Sequence, residues 1–528
     1  MVLEQGTMGL KIEALKDMCL ETDLVVGDEP HARIVIGNNG LHERLAEEIA
    51  KGIETALGAR LEIVRADEED AEALLETHVI ALGNLADNAL YRWLYHRWWA
   101  IEDRCYPGSG GYALRTLHNP LGNGRNVVLL GASDEAGLER AAGRFLDLIA
   151  DSRGKPLGWL MDIQLGPEFG AFSHPPEGWL EERRADAMAR ATETHASKAG
   201  AGTYLVTETG AYGLMYHRTG YEVYAKAFRA AVDAHLALGE HGVMAHFHVW
   251  WIAVIWDLIE ESPAFSDEDR LEITKYLLWI MDSEEGAYNR FFRDGVGNRM
   301  VRQNHQTLVG LSSWFAGRYF STHYGITEGE EWMAASTDLF RGQAASFKPV
   351  EDANAYQWMT LDHILTYTLA SGDRTYIENG NCKRSLDQAV LYCNNRGGLP
   401  AFGDTGVPTK GYPTSFLLKA GHVLQDGRAE FLIRKRFESR SDCFRPATGK
   451  RYDPGEQDGD PFLIRSFEKY FGDGLEPEIP HEMLGVQSLE VAGGFYDLAE
   501  NPKARSREVR PLNLPRKEGF DTVCFREG

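Results

Sequence analysis

Residues His246 to Ser283 read HFHVWWIAVIWDLIEESPAFSDEDRLEITKYLLWIMDS. Apolar residues fill the first half, Pro263 and Ser266 interrupt it, and a second run then resumes at three- and four-residue spacing. Ser266 followed by Asp267, Glu268 and Asp269 is a helix start, because the hydroxyl caps free N–H groups and the acids favour the positive end of the helix dipole. The stretch is a helical hairpin. The same pattern extends on both sides of it. Upstream are PEGWLEERRADAMARATETHASKAG from Pro176 and GYEVYAKAFRAAVDAHLALG from Gly220; downstream are NHQTLVGLSSWFAGRYFSTHYG from Asn304 and GEEWMAASTDLFRGQAASF from Gly329. ANAYQWMTLDHILTYTLASGD from Ala353, DRTYIENGNCKRSLDQAVLYCNN from Asp373 and GYPTSFLLKAGHVLQ from Gly411 continue the series. Helices of this length joined by short loops pack as hairpins in a ring or solenoid. No repeat of fixed period is present, which argues against a consensus-repeat solenoid. Residues 166–475 are therefore expected to form an all-α body of helical hairpins packed in a ring.

The preceding segment has a different period. ARIVIGNNG from Ala32, RLEIVRA from Arg60, HVIALGNLAD from His78, GGYALRTLHNP from Gly110 and RNVVLLGAS from Arg125 read as strands. LHERLAEEIAKGIETAL from Leu41 and DEAGLERAAGRFLDLIA from Asp134 read as amphipathic helices. Residues 1–165 are thus an α/β accessory domain. Its turns contain no G-x-G-x-x-G, so a dinucleotide site has no support. The order of these elements, with GYALRTL and VVLLGAS as its later strands, resembles the small α/β domain that precedes the catalytic domain in several carbohydrate-active enzymes, which implies a scaffold. After residue 475 the helical pattern stops. In 476–528, a linker leads to VQSLEVAGGFYDLAENPKA and FDTVCFREG, which read as strands. A terminal strand needs a partner for its backbone groups, either within the chain or beyond it. The expectation is a chain truncated as its terminal strands begin.

The bulk numbers narrow the function classes. The 528 residues imply two to four domains, and 43% hydrophobic with 25% charged residues is a globular composition. A net charge of −24 argues against a nucleic-acid partner. No apolar run approaches membrane-spanning length, and the N-terminus lacks a basic region followed by an apolar one. The six cysteines form no CxxC pair, which fits free thiols and a cytoplasmic location. No dense His/Cys/Asp motif appears, so no metal or cofactor is expected.

The chemistry concentrates in RMVRQNHQTLVG, Arg299 to Gly310, where the polar pair Asn304–His305 heads a helix otherwise rich in apolar and small residues. About fifty residues on, DANAYQW places Tyr356 beside Asn354 at another helix start, and GGLPAFGDTGVP sets Asp404 in a Gly-Pro turn. In a ring of hairpins the helix starts of one layer gather at one end. Singly, Asn304 is an N-cap, His305 a helix-terminal histidine and Tyr356 a core aromatic with its hydroxyl at the rim. Together with Arg299 and Arg302 they make a polar face. Upstream, His248 and Trp250 are candidates to border that face and to stack on sugar. His246 and His248, two apart on a helix, face different directions and do not share a metal.

QNHQT followed at this separation by the tyrosine of DANAYQW, with FGDTG and the closing FDTVCFREG, resembles the heparinase II/III-like and oligo-alginate-lyase-like polysaccharide lyases. The resemblance covers roughly Gly220 to the C-terminus. It departs from the family's Asn-Asn-His-Gly version in Gln303 and Gln306, which flank the pair. It implies an α/α toroid followed by a β-sandwich, with Asn304, His305 and Tyr356 catalytic. Arg299, Arg302, His248, Trp250 and Asp404 are the substrate-binding candidates. The implied reaction is β-elimination on a uronic-acid polysaccharide of glycosaminoglycan type. A base removes the C5 proton, an acid protonates the leaving O4, and donors neutralise the carboxylate as enolate charge develops. Asn304 suits that donor role. His305 is either the base or a second neutraliser, and Tyr356 is the acid in both versions. Two alternatives remain: an α/α-toroid hydrolase, which needs two facing carboxylates from a set such as Glu351, Asp352 and Asp404, and a non-catalytic carbohydrate-binding protein.

Overall fold

The computed structural model describes residues 9–152, 154–169, 174–192, 198–239, 248–284, 286–292, 301, 304–350, 354–393, 414–440, 462, 469–480, 485–490 and 520–526. They form an N-terminal α/β region followed by a mostly helical body. The chain divides into two compact units: 1–287 with 315–329 and 454–474, and 288–314 with 330–453 and 475–528.

The first unit contains a six-stranded mixed sheet. Its strands are β1 (Ala32–Ile36), β2 (Glu62–Arg65), β3 (His78–Gly83), β4 (Tyr112–Leu117), β5 (Val127–Ala132) and β6 (Met161–Gln164). Their spatial order is β2-β1-β3-β5-β4-β6. The first four in that order are parallel, and β4 is antiparallel to both of its neighbours. The helices here are α1 (Gly40–Leu57), α2 (Ala71–Leu74), α3 (Ala89–His96) and α4 (Glu135–Ser152). Apolar faces of α1 (Leu45, Ile49, Ile53) and α4 (Leu138, Phe145, Ile149) bury Ile34, Ile80, Leu114 and Val128 of the sheet. Asn39 caps α1, and Gly58, at φ 93°, ends it in a left-handed conformation open to glycine. The sequence reading missed α3. Buried Asn88 caps it through Leu90 and Tyr91, while its amide reaches the carbonyls of Leu82 and Val35.

The helices α5 (Trp179–Ala191), α6 (Lys198–Thr219), α7 (Glu222–Leu238), α8 (Val249–Ile259) and α9 (Asp267–Asp282) complete most of the first unit. Ser266 caps α9 as expected, and with Asp269 it forms a reciprocal capping box. The sheet and these helices share buried polar contacts. Arg115 of β4 pairs with Glu102 at 2.9 Å and donates to the His217 carbonyl of α6 at 2.9 Å. Lys16 reaches Glu260 at 2.9 Å and Glu261 at 2.8 Å.

After α10 (Ala287–Phe292) comes α11 (Asn304–Tyr324), whose residues 304–314 belong to the second unit and 315–324 to the first. The second unit continues with α12 (Glu328–Ala344, from residue 330), α13 (Asn354–Ser371), α14 (Thr375–Glu378), α15 (Asn381–Tyr392), α16 (Thr414–Leu424) and α17 (Gly427–Arg440). The single helix read from Asp373 to Asn395 is in fact two, divided where Gly380 takes φ 81°. The last strands are β7 (Gly485–Glu490) and β8 (Phe520–Arg526), paired antiparallel, so β8 finds its backbone partner within the chain. Among the described residues no helix is long and apolar enough to cross a membrane.

Candidate functional site

The site is built from the first turns of α11 and α13. Asn304 is the first residue of α11 and is 3% exposed; His305 and Gln306 behind it are half-buried. Tyr356 stands in the first turn of α13 and is half-buried. Two contacts within the second unit fix how these helices run. Thr307 of α11 meets His363 of α13, Oγ1 to Nδ1 at 2.9 Å. Further along, the ring of Trp314 meets the ring of Tyr367 edge-on at 5.2 Å. Both contacts advance in the same direction along both chains, so α11 and α13 are parallel and their starts share an end. His363 lies seven residues past Tyr356 and Thr307 three past Asn304. Trp314 lies ten past Asn304 and Tyr367 eleven past Tyr356, so at about 1.5 Å per residue the two contacts put the Tyr356 turn about 2–6 Å beyond Asn304, within one helical turn.

Behind this rim the packing is polar. The Thr307 hydroxyl bonds the Asn304 carbonyl at 2.8 Å. It has a single proton; with that proton on the carbonyl, His363 donates through Nδ1–H, which assigns its tautomer. Burial pushes the His363 imidazole down to about 4, with Asp362 opposing that shift and Lys419 adding to it. It is neutral at pH 7. On the neighbouring faces of α13, Gln357 accepts from Gln388 of α15 at 3.1 Å, both fully buried. Asp362 is held by Lys419 and by Ser415 at 2.8 Å, both on α16. The α13 helix is thus pinned from three sides, and the turn that carries Tyr356 extends from a fixed segment.

Arg299, Arg302 and Asp404 lie outside the described residues, as do Glu351 and Asp352. His248 and Trp250 belong to the first unit. His248 precedes α8 and stacks on Trp251 at 4.1 Å, while Trp250 is 6% exposed with its ring stacked on Phe315 at 5.7 Å. His363, which the sequence marks as an ordinary helix residue, is buried and joins α13 to α11 through Thr307. Among the described residues no three His, Cys, Asp or Glu side chains converge as metal ligands would. The chain matches no protein-family model and no curated protein.

Proposed function

We propose that this protein is a polysaccharide lyase that cleaves uronic-acid-containing chains of glycosaminoglycan type by β-elimination, on an α/α toroid. The observation that carries the reading is the shared end of α11 and α13, which sets Asn304, His305 and Tyr356 on neighbouring first turns. Asn304 is shielded from bulk water, and there an amide donated to a substrate carboxylate is worth most as enolate charge grows. Either His305 takes the C5 proton and Tyr356 protonates O4, or Tyr356 does both while His305 helps neutralise the carboxylate. His363 is a positioning residue in this scheme. Its bond to Thr307, and from there to the Asn304 carbonyl, holds the first turn of α11 against α13.

The test is to incubate the full chain with heparan sulfate, chondroitin sulfate, hyaluronan and alginate and follow the ultraviolet absorbance of a 4,5-unsaturated uronate. A rise on one of them is expected. Tyr356→Phe should lower turnover by roughly 100-fold or more while substrate binding persists. Full activity in that variant would remove Tyr356 as the acid. New reducing ends without the absorbance would point to a hydrolase, and silence on both counts to a binding protein.

A further inference from the structure

A cleft of about 520 Å³ opens in the second unit, bordered by Trp314, Tyr367, Arg341, Asp373, Arg374 and Glu378. It lies midway along α11 and at the far end of α13, away from Asn304 and Tyr356. Trp314 is ten residues beyond Asn304 and Tyr367 eleven beyond Tyr356, so the two places are about 15 Å apart along the helices. The volume is that of a small-ligand site.

Its walls combine a fixed aromatic element with alternating donors and acceptors. Tyr367 is locked: its ring stacks on Phe340 at 4.7 Å and its hydroxyl donates to Thr337 at 3.0 Å. The half-buried Trp314 abuts it edge-on. Arg341 is gripped by Asp373 through Nε at 2.7 Å, and Arg374 by Glu378 through Nε at 3.5 Å. No hydrogen bond among the described residues uses the terminal nitrogens of either guanidinium, and both side chains are about 60% exposed. Asp373 is itself oriented by the Thr375 backbone N–H at 3.0 Å and hydroxyl at 2.6 Å. Two cations face two anions, so the cleft is balanced in charge and is not an anion trap. A hydroxyl both donates and accepts, and neighbouring sugar hydroxyls therefore match walls of alternating guanidinium and carboxylate. The C–H face of a sugar ring matches an indole.

We propose that this cleft is a second saccharide-binding site, which seats a sugar ring against Trp314 and reads its hydroxyls with Arg341, Arg374, Asp373 and Glu378. It requires no chemistry at Asn304 or Tyr356 and stands apart from the lyase reading. Its function is to hold an oligosaccharide chain.

The test is binding of cellotetraose, chitotetraose, and hyaluronan and alginate tetrasaccharides to the full chain carrying Tyr356→Phe, followed by calorimetry and saturation-transfer NMR. At least one should bind. The double substitution Arg341→Ala with Arg374→Ala, at exposed positions and checked by an unchanged unfolding curve, should weaken that binding roughly ten-fold. Trp314→Phe should weaken it too, and added salt should change it little because the site's charges cancel. The proposal is overturned if none of the four binds, or if binding ignores both substitutions. Arginine-dependent binding without lyase activity on any polymer would remove the proposed activity and keep this site; activity with arginine-independent binding would do the reverse.

Discussion

At the scale of single residues, the candidate site depends on a histidine held neutral. His363 is 5% exposed, and burial lowers its imidazole from the ordinary 6.5 to about 4. Between those values the unfolded chain binds more protons than the folded one. The stability linked to His363 is therefore complete above about pH 6.5 and declines as pH falls through about 4. Denaturant midpoints measured across this range should slope for the wild type. His363→Gln, which can still donate to Thr307, should flatten that slope; an unchanged slope would show that another group titrates there. Asn304, His305 and Tyr356 could be picked out from sequence because polar residues at the head of apolar helices are conspicuous. His363 could not, because a lone histidine inside TLDHILTYTL looks like any other helix residue until its partner Thr307 is known.

At the scale of elements, helix positions follow the apolar period, while glycines conceal some of them. The long α6 was not anticipated because Gly200, Gly202, Gly210 and Gly213 dilute its pattern. Packing explains the last two. A methyl at Gly213 would stand 2.2 Å from the Ile255 side chain, and one at Gly210 3.1 Å from Trp251, so α8 crosses α6 too closely for a larger residue. The same device operates in the proposed catalytic helix. At Gly310 an added Cβ would meet Leu339 and Phe340, each at 2.9 Å and both buried, where α12 crosses α11. Ser336 marks the crossing by donating to the Gly310 carbonyl at 2.7 Å. Gly310→Ala gains up to about 1 kcal/mol of helix propensity, yet overpacking costs about 1–3 kcal/mol. The expected net result is a lower unfolding midpoint and, if the α11 turn carries the chemistry, reduced turnover. A midpoint equal to or above that of the wild type would mean that α12 yields without cost.

At the scale of the whole molecule, the α/β region and α5 to α9 lie in one compact unit, and buried charges tie them together. Glu260 accepts from Tyr319 at 2.7 Å and Tyr324 at 2.8 Å, and Lys16 reaches across to it and to Glu261. Asp257 takes Trp99 Nε1 at 3.0 Å, Arg318 at 3.2 Å and His323 at 3.3 Å. Burial pushes Asp257 up, but His323, Arg318 and Lys16 outweigh it and hold the carboxyl well below the usual range. None of this was legible beforehand, since the partners are tens to hundreds of residues apart and each looks like a surface charge in sequence. Removing one member of such a buried cluster leaves its partners uncompensated. Lys16→Ala should therefore cost about 3–5 kcal/mol, and strand β5 and helix α8 should lose hydrogen-exchange protection together. Separate losses would mean that the sheet and helices unfold independently. One ammonium cannot compensate two buried carboxylates, and burial, reinforced by Glu260 and opposed by Lys16, raises Glu261 to about 7. The folded state then holds a proton that the unfolded state releases near 4.5. The stability linked to Glu261 is complete below about pH 4.5 and is lost as pH rises through about 7. Glu261→Gln should abolish that loss and make the unit more stable than the wild type above neutrality, because a neutral amide in this position has no proton to give up.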